Sequence, residues 1–283
     1  MRGSLQDRVA IVTGASRGIG KQIALDLAAS GMQVVVAARS VRSRDRLPGT
    51  VDETVREIEA AGGQAVAVQT DVRDAEAIQR LVAGSREAFG GIHLVVHNAG
   101  ALWWRPILET PAKRFDLVMS VNVRAAFLLA QAAAKAMIET DQGGHILFIS
   151  PPLDDRPLPG MVAYTVSKFG MTVVALGLAE ELRPHRIAVN TLWPATLIES
   201  LATLNWRIGE RWMWRQPTIL SDAVLALARK DPASFTGRQL IDEDLLRGEG
   251  VTDFSAYRCD PDREPPRVAL EELPHLLATG EED

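Results

Sequence analysis

Cysteine is nearly absent. Cys259 is the only one in 283 residues, so no disulfide can close within the chain and a reducing compartment, the cytoplasm, is expected. Positive charge is not in surplus either. A net charge of −5 argues against nucleic acid or an anionic membrane surface as the main partner. No uninterrupted apolar stretch approaches the roughly 18 residues of a membrane span. The opening "MRGSLQDRVAIVTG" has no apolar leader core, and the closing "TGEED" is not a lipidation or peroxisomal signal. No internal repeat and no second core are visible, and no metal site is expected.

What is present is an alternation. Short apolar, β-branched runs at 9–14, 33–38, 64–71, 92–100, 144–150, 186–193 and 238–242 have the length of buried strands. Between them lie helical patterns at 18–30, 51–62, 74–89, about 111–139, 162–183 and 221–230. This rhythm predicts an α/β, doubly wound (Rossmann) fold. A seven-stranded parallel sheet would carry helices on both faces in a single domain over 1–242. Residues 243–283, with "DPDREPPR" and an acidic end, read as a C-terminal surface extension. A charged loop at 40–50 and a long loop at 194–218 interrupt the rhythm; the latter reads as a lid or substrate loop.

"TGASRGIG" at 13–20 follows the first strand and opens a helix. Gly14, Gly18 and Gly20 permit a tight turn and close backbone approach to a pyrophosphate. Ser16, Arg17 and Ile19 lie in the same turn, and the helix N-terminus offers free N–H groups. An NAD site places a carboxylate about 20 residues further on. Here the second strand ends in Ala38, Arg39 and Ser40. Arg39, aided by Arg17, suits a 2′-phosphate, so NADP(H) is the expected cofactor. Asp71 and Val72 close the third strand, and Asn98, Ala99 and Gly100 the fourth. These are the strand ends where ligands bind in open parallel sheets.

Tyr164 and Lys168 stand four apart at a helix start, the spacing of a proton-transfer pair. An ammonium near a phenol, with an oxidised nicotinamide, favours phenolate and should lower the tyrosine pKa. The glycine motif, Asp-Val, Asn-Ala-Gly, the Asn in "MSVNV" and Tyr-x-x-x-Lys together resemble the short-chain dehydrogenase/reductases over about 1–242. "ISPPL", "AYTVSKFGM", "NTLWPAT" and "SFTGRQLIDEDLLRGEGVTDF" resemble their hydroxysteroid dehydrogenase-like branch, to about residue 258. Some members of that branch continue into a sterol-carrier-like domain, which this chain is expected to lack.

The resemblance implies Tyr164 as acid/base, Lys168 as its electrostatic partner and a contact to the nicotinamide ribose, and Asn122 as holder of a water beside Lys168. The family's serine, 13 residues before the tyrosine, falls on Pro151. Two readings follow. Ser150, one residue earlier, turns inward through a bulge, or Tyr164 holds the substrate oxygen without it. His97 stands where an Asn is usual and is read as structural. The usual Pro-Gly is Pro194-Ala195, which leaves Thr196 or Ser200 to hold the nicotinamide amide.

Six tryptophans cluster near 103–104 and the long loop. They either wall a pocket for a bulky apolar carbonyl or alcohol or pack the loop on the core. The apolar helices at 111–139 and 162–183 resemble the family's subunit interface, so a homodimer or homotetramer is expected. The chain thus reads as an NADP-dependent oxidoreductase acting on a small-molecule carbonyl/alcohol pair. The alternative is an NADP(H)-binding sensor or scaffold with little turnover.

Overall fold

The structure is a computed structural model that describes residues 4–42, 48–156 and 158–276. Part of the charged loop, 43–47, lies outside the described residues, as does the chain end from 277. The strands are β1 (Val9–Thr13), β2 (Gln33–Ala38), β3 (Gln64–Gln69), β4 (Leu94–His97), β5 (Gly144–Ile149), β6 (Ile187–Trp193), β7 (Leu197–Ile198), β8 (Trp214–Arg215) and β9 (Gln239–Ile241). Seven form one sheet in the order β3-β2-β1-β4-β5-β6-β9, every pair parallel. The strand order reverses between β1 and β4, which opens a crevice above their carboxyl ends. The small β7 and β8 pair with each other inside the long loop.

Helices α1 (Gly18–Ala29), α2 (Val51–Ala60), α3 (Ala75–Phe89), α4 (Ala112–Val118), α5 (Ala125–Thr140), α6 (Val162–Glu181), α7 (Leu201–Asn205), α8 (Thr218–Ala228) and α9 (Asp242–Gly248) complete the elements used below. The two faces follow from strand alternation. Ala10, Val12, Val34, Val36, Leu147 and Ile149 pack in one core with α1 and α8. Val9, Ile11, Val35, Val95, Ile146 and Phe148 pack in the other with α3, α5 and α6. Residues 112–140 and 162–181 are long and apolar enough to cross a bilayer by length and composition, yet they pack against this sheet and are about half buried.

Two expectations are refined. The helix expected over 111–139 is interrupted by a π-turn at Met119–Arg124, which carries Asn122; such turns often mark functional positions. The tail is not a surface extension up to residue 276. Cys259 N–H donates to the Trp214 carbonyl (3.1 Å), and Leu273 is buried with Trp104, Tyr164 and Trp214.

Candidate functional site

A cleft of about 460 Å³ runs over the carboxyl ends of β1, β2, β3 and β4. Every expected cofactor residue except Tyr164, Lys168, Pro194 and Thr196 lines it: Gly14, Ser16, Arg17, Gly18, Ile19, Gly20, Arg39, Ser40, Asp71, Val72, Asn98, Ala99 and Gly100. Those four line a second cavity of about 260 Å³, together with Trp104 and Trp193. Ile19, Asn98, Gly100, Ala101, Ser200 and Ala202 line both, so the two spaces adjoin.

The glycines meet the demands of a phosphate cradle. Gly14 and Gly18 have φ of 68° and 55°, a region costly to residues with a Cβ. A Cβ on Gly20 would lie 2.6 Å from the Gly14 carbonyl oxygen, so the turn closes only with glycine there. A Cβ on Gly18 would meet nothing within 4 Å; it borders open cleft. The Asn98 amide donates to the carbonyls of Thr13 (3.1 Å) and Gly14 (3.4 Å), which ties β4 to the glycine turn. Arg17 donates to Ser40 Oγ (2.7 Å) and to the Gly49 carbonyl (2.9 Å). Its guanidinium therefore sits beside the end of β2, with the exposed Arg39 on the same rim. The Arg73 guanidinium on Asp71 holds that carboxyl below the usual range, helped by Arg39. Together the turn, the open helix N-terminus and the basic rim fit a nicotinamide dinucleotide.

Tyr164 and Lys168 project from the first turns of α6. The Lys168 ammonium lies 5.9 Å from the Tyr164 ring centroid and 5.5 Å from that of Trp193. It donates to the Ile149 carbonyl (2.8 Å). Asn122 is buried in the π-turn: its Oδ1 accepts from Ala101 N–H (2.8 Å), and its Nδ2 donates to the Ala101 carbonyl (3.0 Å) and to Ser167 Oγ (2.8 Å). Ser167 in turn donates to the Tyr164 carbonyl (2.7 Å). Ser167 is not legible in the sequence, since a serine inside an apolar helix carries no distinguishing pattern.

Burial acts against the expected lowering of the tyrosine pKa. Burial raises the Tyr164 pKa above its ordinary value and lowers that of Lys168 to about 8. Desolvation disfavours the charged form of each. Burial by itself thus favours the protonated phenol, whereas the expected lowering includes the charge of an oxidised nicotinamide.

Ser150 does not turn towards the cavity. β5 runs regularly to its end, so Ser150 shares the face of Phe148 and Ile149 the face of the cavity. The Ser150 hydroxyl donates to the Lys168 carbonyl (2.8 Å) and contacts Thr172 Oγ1. No bulge turns it inward, and the one-residue slip places it on the wrong side. Ser150→Ala is expected to leave kcat within about threefold while lowering stability by ~1 kcal/mol, as for loss of a buried hydrogen bond. Turnover and urea unfolding of the purified variant check this.

His97 is fully buried beneath the π-turn, with its Nδ1 3.1 Å from Thr13 Oγ1, and desolvation depresses its pKa to about 4. His145, also buried, is likewise lowered to about 4. The unfolded chain takes up protons near pH 6.5 that the folded rings refuse until about 4. Stability is thus complete above the unfolded value and is lost as pH falls from 6.5 towards 4. Asp242, raised to about 6 by burial, opposes part of this loss over its own window. His97→Asn is expected to shrink the stability difference between pH 7 and 4.5 by up to ~3 kcal/mol. Denaturant midpoints at the two pH values measure it; an unchanged difference would contradict the burial argument.

The long loop holds Thr196 buried in the second cavity, with its hydroxyl on the Leu197 carbonyl (3.2 Å). Ser200 caps α7 and borders both spaces. The tryptophans divide between their two expected roles. Trp104 and Trp193 wall the cavity. Trp214 packs the loop, its indole N–H donating to the Ile208 carbonyl (2.9 Å). Trp103 and Trp206 meet edge to face.

Residues 8–204 match the family described as short chain dehydrogenase, and with this fold and site the chain belongs to the short-chain dehydrogenase/reductase family of oxidoreductases. Within it, the chain falls in the hydroxysteroid dehydrogenase-like branch. It is 40% identical to hydroxysteroid dehydrogenase-like protein 2 of Xenopus tropicalis over 99% of its length and 68% of that protein. It is 42% identical to the Rattus norvegicus protein of that name, over 92% of this chain and 49% of the relative. The chain thus spans about half to two-thirds of the curated relatives it matches. Among solved structures, a short chain dehydrogenase from Mycobacterium thermoresistibile superposes with a TM-score of 0.87 at 40% identity, covering 94% of this chain and 95% of that one. A metagenomic short-chain oxidoreductase in complex with NADP has a TM-score of 0.71 at 34% identity, covering 84% and 98%. A Mycobacterium paratuberculosis short chain dehydrogenase bound to NAD has 0.73 at 28%, covering 84% and 97%.

Proposed function

We propose that this protein is an NADP(H)-dependent oxidoreductase that interconverts an apolar carbonyl compound and its alcohol. The carrying observation is that the polar cleft adjoins an apolar cavity at Tyr164 and Lys168. NADP(H) supplies hydride when bound; Arg17 and Arg39, with no carboxylate at the end of β2, favour it over NAD(H). Of the two relatives above, one is in complex with NADP and the other is bound to NAD.

Tyr164, protonated because it is buried, gives its proton to the substrate oxygen as charge develops there. Lys168, charged below about pH 8, stabilises that oxygen and the resulting phenolate. Asn122 keeps the Ala101 segment and the start of α6 in register around them. Trp104, Trp193, Leu197 and Ile208 exclude water and favour a bulky apolar group. The exposed Phe115, Phe127, Val166 and Val173 on α4–α6 support a homo-oligomer, and the single Cys259 suits the reducing cytoplasm.

Pro151, which removes the family's usual hydroxyl, favours a second reading as an NADP(H)-binding sensor. A panel of apolar aldehydes and ketones separates them, with NADPH or NADH consumption followed by absorbance. The enzyme reading expects saturable NADPH oxidation; tight cofactor binding with no oxidation across the panel supports the sensor.

A further inference from the structure

The tail after α9 reaches the cavity. Val268 and Leu273 line the same space as Tyr164 and Lys168. Val268 N–H donates to the Ala195 carbonyl (2.8 Å), while Ala195 N–H donates to Asp242 Oδ1 (2.8 Å). The loop after β6, which carries Pro194 and Thr196, is therefore gripped from both sides. Further along, the Leu276 carbonyl accepts from Gly209 N–H (2.8 Å).

Charge holds the tail in place. Arg215 is 1% exposed and pairs with Glu264 of the tail (2.7 Å) and Glu243 of α9 (3.3 Å). Arg267 pairs with Asp244 (2.7 Å), and Arg156 with Glu271. A buried arginine left without its acidic partners is strongly disfavoured, so these contacts hold Glu264 and its neighbours against the loop. Leu273 lies 7% exposed against Trp104, Met161, Tyr164 and Ile208.

We infer that this tail is a wall of the substrate cavity and that Leu273 sets the size of the apolar group the cavity admits. The inference rests on the oxidoreductase reading above and adds a specificity determinant to it. Leu273 touches no reacting atom; it acts by occupying space beside Tyr164. Removing its isobutyl group enlarges the cavity, and a larger ring there shrinks it.

The test compares wild type, Leu273→Ala, Leu273→Trp and Leu273→Met on methyl ketones from butanone to dodecanone with NADPH. Leu273→Ala is expected to raise the ratio of long-chain to short-chain kcat/KM by about tenfold or more. Leu273→Trp should lower that ratio, and the volume-conserving Leu273→Met should keep it. Quenching of tryptophan fluorescence, titrated with the same ketones in the presence of NADP⁺, reads the same order in Kd without turnover. Ratios that stay flat in both assays, or that move the same way for Ala and Trp, overturn the inference while an active wild type preserves the enzyme reading. Kd values that follow side-chain size with no turnover in any protein sustain the inference and sink the enzyme reading. No saturable binding of any ketone by the wild type overturns both.

Discussion

Replacing Tyr164 with Phe is expected to lower kcat for carbonyl reduction by about 10²- to 10⁴-fold, the range for loss of a positioned acid, with NADPH affinity changed by no more than about twofold. The change removes one oxygen and leaves the ring against Trp104, 5.8 Å away between centroids. The fold of α6 and the cofactor cleft should survive. This hydroxyl acts without a serine beside it, because Ser150 faces the Lys168 carbonyl and Pro151 has no donor to offer. The loss should therefore appear in kcat and not in cofactor binding. A pH profile gives a second reading of the same centre. Lys168 carries its charge below about pH 8 and loses it as pH rises. Reduction measured as kcat/KM should therefore fall on the alkaline side near that value, and Lys168→Met should abolish this limb along with most activity. A Tyr164→Phe enzyme that retains full kcat would remove the phenol from the chemistry.

Arg39→Ala is expected to weaken NADPH binding by about 10- to 100-fold, the worth of a charge-assisted contact to a phosphate, and to leave NADH affinity nearly unchanged. Arg39 is exposed on the rim of the cleft, whereas Arg17 is held by Ser40 and Gly49. The Arg39 substitution therefore changes charge without dismantling the turn. Equal weakening for both cofactors would mean that the residue supports the loop and does not read the 2′-phosphate. Cofactor fluorescence titrations with the two reduced dinucleotides decide it.

Much of this arrangement was legible in the residues because it is encoded locally. Seven short strand-like runs alternating with helical segments announce a parallel sheet, because parallel neighbours need a crossover between them. The glycine turn was equally plain: Gly14 and Gly18 need their backbone angles and Gly20 needs its missing Cβ. Other features depend on contacts remote in sequence. The side of β5 occupied by Ser150 turns on whether a bulge forms at its end, which the pair Ser150-Pro151 does not specify. The π-turn at Met119–Arg124 is written in residues that would also make an ordinary helix. The direction of the Tyr164 shift depends on how deeply α6 is covered, and burial is what raises it there. The tail reads as surface in the sequence because of "DPDREPPR" and its acidic end. Arg215 and Glu264, 49 positions apart, bring it to the cavity, and no local pattern pairs them.

The most direct test of the central claim is transfer of label in a single turnover. The enzyme is mixed with NADPH deuterated at nicotinamide C4 on one face and with an apolar ketone, and the alcohol formed is examined by mass spectrometry. The account expects deuterium on the carbinol carbon from one of the two C4 epimers, with Tyr164→Phe giving little product on the same timescale. Tight NADPH binding with no labelled alcohol from either epimer across the ketone panel would contradict it.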